Sequence, residues 1–168
     1  IAKYTANGTA NGFMRVAMPG AAYTGSGRVA VSPGGSLLVA GNCSASAGSF
    51  YNLCLARFNA NDTLDTTFSL DGITSAAVIG YHVDVEALRL QSDGRIVVAG
   101  SCYTGTGESL VCLWRLNQDG SVDGTFGAAG SGRISRHYAT GSGARETLYS
   151  GVQTGQAKPQ PLNFWQAA

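Results

Sequence analysis

Apolar and polar residues alternate along much of the chain with a period of two. Val29 and Val31, like Leu88 and Leu90, alternate with small or polar residues ahead of a glycine-containing turn. This alternation predicts half-buried β-strands, each followed by a tight turn. Short apolar runs that end at glycine, and others that end at an asparagine-containing cluster, predict two further strands. No stretch has a helical period, so the pattern indicates an all-β protein.

The strand pattern recurs along the sequence. The run SLLVAGNC recurs as RIVVAGSC, which places Gly41 and Gly100 in register at a spacing of 59. The run CLARFNANDTLDTTF from Cys54 recurs as CLWRLNQDGSVDGTF from Cys112 at a spacing of 58. The first residues match the same run, so the sequence opens part-way through a unit. A weaker fourth strand is predicted from three positions: Met14, Gly72 and Gly132.

These repeats divide the chain into units of four antiparallel strands, which we name a to d in chain order. The predicted segments are a half repeat with strands c and d at 1–18, a repeat at 19–79, a second repeat at 80–140, and a partial repeat with a Pro- and aromatic-containing tail at 141–168. Four antiparallel strands per unit favour β-propeller-like blades. A β-sandwich is the alternative, but it gives no reason for motifs to repeat in sequence.

Part of the repeat resembles a known family. The runs ALRLQSDGRIVVAGS from Ala87 and LWRLNQDGSVDGTFG from Leu113 resemble the delta-sixty repeat of large bacterial secreted proteins. That unit reads x-L-Q-x-D-G-K-I-V-V-A-G and then A-R-x-N-x-D-G-S-L-D-T-x-F-G. The resemblance covers two full units and an N-terminal half unit, and it implies β-propeller blades without implying an activity. The cysteines and the segment 156–168 depart from the family pattern.

Four cysteines lie at matching positions of the two units: Cys43, Cys54, Cys102 and Cys112. Spacings of 11 and 10 residues suit a cross-link within a hairpin. Of the three pairings that four cysteines allow, the repeat favours Cys43–Cys54 and Cys102–Cys112. A zinc site is the rival, but the pairs lack the usual C-x₂-C spacing. Disulfides indicate an oxidising compartment, so we expect a secreted or cell-surface protein, or a periplasmic one.

Composition narrows the classes of function. A hydrophobic share of 44% excludes a disordered chain. The formal net charge of +1 gives no electrostatic basis for binding nucleic acid. No apolar run approaches the roughly 18 residues that a membrane span needs. The 24 glycines fit a protein rich in turns.

One turn has the spacing of a metal-binding loop. Asn117, Asp119 and Asp123 follow the pattern N-x-D-G-x-x-D, which can bring oxygen ligands around Ca²⁺. A polar β-turn is the alternative interpretation, and no downstream glutamate completes the ligand shell. No other cofactor is predicted. His82 and His137 each stand outside any ligand or catalytic motif and are interpreted as polar surface or edge residues.

Two residue types recur at fixed places in the units. A basic residue recurs in strand c. A binding role is one interpretation, and the favoured one is an inter-blade or outward-facing strand residue paired with Asp65 or Asp123. These basic residues are Lys3, Arg57 and Arg115. A phenylalanine recurs after the following turn, where it is predicted to pack between blades. These phenylalanines are Phe13, Phe68 and Phe126.

The expected function is that of a non-enzymatic structural or interaction protein. Because propellers typically close with about 4 to 8 blades, fewer than three blades predict either a longer polypeptide or association of copies. We therefore expect a homo-oligomer or a larger surface assembly. The alternative is an adhesin-like module for glycans or proteins, with Tyr51 and Tyr103 as loop contacts and Phe164 and Trp165 as contacts in the tail.

Overall fold

The computed structural model describes residues 1–14, 21, 23–46, 49–104 and 106–137. Over these residues the chain forms ten β-strands and one short 3₁₀ turn, η1, and no α-helix. The strands are β1 Ala2–Tyr4, β2 Ala10–Phe13, β3 Tyr23–Val31, β4 Leu37–Ser44, β5 Asn52–Phe58, β6 Ile73–Ala76, β7 His82–Leu90, β8 Ile96–Tyr103, β9 Ser109–Leu116 and β10 Arg133–His137, with η1 at Ala128–Gly130. Within the described ranges no helix is long and apolar enough to cross a membrane.

The strands form two four-stranded antiparallel sheets that follow chain order. The first sheet has the order β3-β4-β5-β6, and the second has β7-β8-β9-β10. Each sheet therefore supplies the predicted strands a to d of one unit, which confirms the all-β, propeller-like expectation. The first sheet lies within residues 19–79 and the second within 80–140. Over the described part of the chain the two sheets do not close into a ring.

Burial follows the sequence pattern strand by strand. The inner strand β7 alternates, with Val83 and Val85 buried between partly exposed neighbours. The central strands β4 and β8 instead carry continuous buried runs, because both of their faces are covered. Gly100 on β8 is required by a close approach, since a side chain there would clash with the carbonyl oxygen of Asp84 on β7. Gly100 thus allows strands a and b of the second sheet to pair tightly.

The two sheets share one hydrophobic core. Strand β7 of the second sheet packs against β3, β4 and β5 of the first. The largest fully buried apolar side chains in this core come from both sheets: Leu38, Leu53, Leu55, Phe68, Val83, Leu88, Ile96 and Val98. Burying such side chains is the main favourable term in folding, so the two units stabilise each other.

The N-terminal half unit differs from its prediction. The strand expected from Met14 falls almost entirely outside the described residues, and the second strand of this hairpin is β2 instead. The pairing Tyr4↔Ala10 matches single bridges in the full units, Phe58↔Leu64 and Leu116↔Val122. In the half unit the pairing continues to Phe13, because this segment lacks the aspartate that bends the chain in the other two units.

Candidate interaction sites

Both predicted disulfides are present. Cys43 is bonded to Cys54 and Cys102 to Cys112, with Cα–Cα separations of 5.9 and 6.0 Å, within the range that a disulfide requires. Each bond joins strands b and c of its sheet diagonally, and all four cysteines are paired. The bonds fix one end of each sheet, which we call the disulfide end; the opposite end, with the glycine-containing turns, is the turn end.

The predicted binding residues Tyr51 and Tyr103 meet at the disulfide end through His82. The His82 ring lies 5.5 Å from the Tyr51 ring and 5.3 Å from the Tyr103 ring, measured between centroids. Phe50, which is 46% exposed, lies 5.0 Å from the same histidine. We call Phe50, Tyr51, His82 and Tyr103 the aromatic cluster. Such a cluster can stack on an apolar ligand face while presenting polar tips.

Sequence reasoning did not find His82 as a member of this cluster. The available signal was register: His82 pairs with Tyr103 across β7 and β8, while the backbone N–H of Tyr51 lies 3.4 Å from its Nδ1 atom. The interpretation of His82 as a polar edge residue agrees with its half-exposed place on β7, an edge strand of the second sheet, but it missed the ring contacts that His82 makes there. Phe164 and Trp165 lie outside the described residues.

A carboxylate lies at the same end of the second sheet. The Tyr81 hydroxyl donates a hydrogen bond of 2.9 Å to Glu108, which raises the pKa of Tyr81. His137 on β10 lies 3.6 Å from the same carboxylate. The disulfide end therefore has a carboxylate and an imidazole in addition to the rings of the aromatic cluster.

At the turn end, the repeated arginines pair with the predicted aspartates. Arg57 Nε donates to Asp65 at 2.7 Å, and Arg115 Nε donates to Asp123 at 2.6 Å. In each unit a threonine two residues after the aspartate donates to the second carboxylate oxygen and accepts from the arginine Nη2. We call each set an Arg–Asp–Thr clamp. Lys3 differs, because it bonds Asp62 of the following unit at 2.6 Å.

Hydrogen bonding keeps these aspartates ionised. Bonds from the Thr125 hydroxyl and backbone N–H, together with Arg115, lower the pKa of Asp123 from its ordinary 3.8 to about 2. The equivalent bonds from Thr67 and Arg57 lower the pKa of Asp65. Both carboxylates therefore carry a structural negative charge at neutral pH.

The predicted calcium ligands form a polar turn. Asp119 Oδ1 accepts bonds from the backbone N–H and hydroxyl of Ser121, at 2.9 and 2.6 Å. Asn117 Nδ2 donates to the Ser121 hydroxyl, and both oxygens of Asp123 serve the clamp. Among the residues that the structure describes, no three His, Cys, Asp or Glu side chains are grouped as metal ligands. Calcium binding stays a prediction.

Replacing Asp123 by asparagine is expected to remove one acid-sensitive contribution to stability. Because the folded pKa of about 2 lies below the ordinary value, ionised Asp123 stabilises the fold above roughly pH 4. That contribution is lost as the pH falls through about 2. The difference in urea midpoint between parent and D123N should therefore shrink steadily over this window.

The first sheet supplies a matched comparison for this prediction. Asp65→Asn removes the same charge from the equivalent clamp, and the pKa of Asp65 is also lowered. We expect D65N to show the same direction of pH dependence. Parallel acid profiles for the parent and D123N would contradict the assignment.

The phenylalanine predicted to pack between units does so in the first unit. Phe68 is fully buried, and it lies so close to the turn of the next unit that a Cβ on Gly120 would stand 2.8 Å from its ring. Arg57 covers the ring, with its guanidinium carbon 4.8 Å from the centroid. Phe13 instead is 77% exposed, so its predicted packing is wrong, and Phe126 is half-buried. Phe13 is exposed because its segment runs on as strand β2.

Two hydrogen bonds to backbone carbonyl oxygens complete the contact around Phe68. Arg57 Nη1 donates to the carbonyl oxygen of Gln118 at 2.5 Å, and Ser69 N–H donates to that of Asp119 at 2.8 Å. We call this set the unit-to-unit contact; it consists of Arg57, Phe68 and Ser69 on one side and Gln118, Asp119 and Gly120 on the other. The two sides of this contact differ. The first unit contributes a face made of Arg57, Phe68 and Ser69, which we call the projecting face, and the second contributes the turn at Gln118, Asp119 and Gly120, which we call the receiving turn.

Further polar contacts join β3 and β4 of the first sheet to β7 of the second. Arg28 on β3 donates to the backbone oxygen of Glu86 at 2.7 Å and to its carboxylate at 2.9 Å. Asn42 donates to the Asp84 carboxylate at 2.9 Å. The register between sheets is therefore fixed by directed bonds as well as by apolar packing.

Two sequential four-stranded antiparallel sheets that share one core, with Phe68 of the first unit packed on the turn at Gly120 of the second, define a β-propeller-like repeat protein. A family model described as a domain of unknown function, DUF5122 beta-propeller, matches residues 33–68 and 91–126. Each match runs from the turn before strand b to the repeated phenylalanine. No curated protein and no solved structure matches the chain.

Proposed function

We propose that this protein is a non-enzymatic, extracellular structural module of β-propeller-like repeats that associates with copies of itself or joins a larger surface structure. The observation that carries this proposal is the unit-to-unit contact, in which Phe68 is buried against the turn at Gly120. Its two sides differ, so units add in one direction. Repeats joined by such a heterologous contact form rings or open chains, depending on the rotation at each step.

The two disulfides support an extracellular location. Disulfides persist in oxidising compartments and are rare where thiols are kept reduced. The two bonds lie at matching positions, so each full unit of this chain has its own disulfide. Each disulfide would stabilise its unit against unfolding in an oxidising environment outside the cell.

Three carboxylates are paired with arginines, and this pairing supports a structural role for them over a catalytic one. Asp65 and Asp123 are held in clamps, and Glu86 is paired with Arg28 on the neighbouring strand. The lowered pKa values of Asp65 and Asp123 keep both carboxylates ionised, so they are poor proton donors at neutral pH. These groups instead hold turns and strands in place.

The first test of the proposal is the solution mass of the oxidised chain. Light scattering on a sizing column, over a range of concentrations, is expected to show a mass above that of one chain. A mass equal to one chain at every concentration would contradict self-association. A change of mass on adding EDTA would favour calcium binding at Asp119.

A second candidate function is supported by the aromatic cluster. Rings that gather at one end of a sheet are typical contacts for sugars or protein side chains. If the cluster binds a glycan, a signal on a glycan array should fall at least about tenfold in the Tyr51→Ala, Tyr103→Ala double variant. Tyr4→Ala is the matched control, because Tyr4 is exposed on the distant strand β1.

A further inference from the structure

We propose that copies of this chain associate head to tail, with the face formed by Arg115 and Phe126 of one copy docked on the turn at residues 5–9 of the next. This inference rests on the proposed self-association and names the surfaces that perform it.

The Arg115/Phe126 face repeats the side of the unit-to-unit contact that projects forward. The Arg115 guanidinium carbon lies 4.6 Å from the Phe126 ring centroid, close to the 4.8 Å of Arg57 and Phe68. The same clamp holds both arginines. Over the described residues, however, Nη1 of Arg115 has no acceptor and Phe126 is only half-buried. The face is thus formed and oriented without the partner that covers Phe68.

The turn at residues 5–9 has the conformation of the turns that receive such a face. Gly8, Asp62 and Gly120 occupy equivalent positions, with φ of 82°, 70° and 87°. In all three turns the N–H of this residue bonds the carbonyl oxygen three positions earlier, at 2.9 to 3.0 Å. Asp62 is contacted by Lys3, and Gly120 by Phe68. A Cβ placed on Gly8 would instead meet nothing within 4 Å.

The direction of the existing contacts selects a second copy as the occupant. Lys3 of the half unit reaches the first full unit, and Arg57 of that unit reaches the second. Arg115 would continue the series on a turn of the same conformation. Asp62 is paired with Lys3 and Gly120 lies against Phe68, whereas a Cβ on Gly8 would meet nothing within 4 Å. By analogy, Arg115 Nη1 would bond the carbonyl oxygen of Ala6. Gly127 N–H would bond that of Asn7.

Two variants test the two sides of this interface. Phe126→Ala removes the projecting ring, and Gly8→Asn adds a side chain where the ring would rest, with a residue that tolerates positive φ. In sizing-column light scattering, each should raise the concentration for half-association at least about tenfold. Thermal unfolding checks that each variant is folded.

Mixing the variants distinguishes a head-to-tail contact from a symmetric one. F126A keeps the receiving turn and G8N keeps the projecting face, so an equimolar mixture should form dimers and nothing larger. Ile79→Ala is the control, since Ile79 is a 95% exposed apolar side chain between β6 and β7, outside both sides of the proposed interface. Self-association that neither variant weakens would overturn this interface while leaving the proposed function standing. A mixture that stays monomeric would also overturn the inference, and a monomeric parent would count against the proposed function itself.

Discussion

Replacing Phe68 by alanine is expected to lower the free energy of unfolding by about 3–5 kcal/mol. Phe68 is fully buried at the junction of the two sheets, with the Arg57 guanidinium over its ring and the Gly120 turn against its Cε2 and Cζ atoms. The turn is fixed by its own hydrogen bonds, so it cannot move in to fill the cavity. Urea denaturation followed by circular dichroism measures the change.

Phe13→Ala is the matched control, because it removes the same atoms from the equivalent place in the half unit. Its ring is 77% exposed, so the loss of stability should stay within about 0.5 kcal/mol. Equal effects of F13A and F68A would contradict the assignment of Phe68 as the residue that joins the units. A selective effect of F68A would instead show that one repeat depends on contact with the next.

The repeat in the sequence is what made the strands and the disulfide pairing predictable. A spacing of 58 or 59 residues transfers each assignment from one unit to the other, so Cys43–Cys54 and Cys102–Cys112 followed from the same repeat. The pairing of Arg57 with Asp65 was accessible for the same reason, since both residues lie in one unit. Contacts within a unit are local in sequence, and alternation and spacing describe them well.

Contacts between units were less accessible, because no pattern within a unit encodes them. The recurrence of phenylalanine indicated packing between blades, but the exposure of Phe13 depends on whether its segment bends or continues as a strand. The aromatic cluster likewise depends on strand boundaries, because His82 is the first residue of β7 and therefore lies opposite Tyr103 at the disulfide end. Tyr51 directly precedes β5 of the first sheet and Tyr103 ends β8 of the second, so the two rings meet at His82 because the sheets stack.

Such stacking gives the two ends of the molecule different chemistry. The disulfide end combines covalent bonds with the aromatic cluster, whereas the turn end combines ionised clamps with directed backbone bonds. Clamps and backbone bonds are directional, so they favour a single geometry of addition. Stacked rings accept varied partners. Assembly therefore belongs with the turn end in our proposals, and ligand recognition with the disulfide end.

Removing the two disulfides is expected to destabilise the fold by about 2–4 kcal/mol for each bond. Cross-linking residues 10 or 11 positions apart restricts the unfolded chain, and the bonds lie in separate sheets, so their effects should add. The variants are Cys43→Ala with Cys54→Ala, Cys102→Ala with Cys112→Ala, and all four together. Alanine is chosen because a buried serine hydroxyl would add an unpaired polar group. Urea midpoints of these variants, and of the parent under dithiothreitol, measure the change.

Loss of both bonds bears directly on where the protein can remain folded. Domains of this size are stable by about 5–15 kcal/mol, so a combined loss of about 4–8 kcal/mol would leave the reduced chain marginal. The variant with all four alanines should behave like the reduced parent, which separates loss of the bonds from damage by the reductant. If reduction leaves the urea midpoint unchanged, the disulfides are dispensable and the argument for an oxidising compartment loses its physical basis. A large loss would mean that this repeat depends on chemistry available outside the cytoplasm.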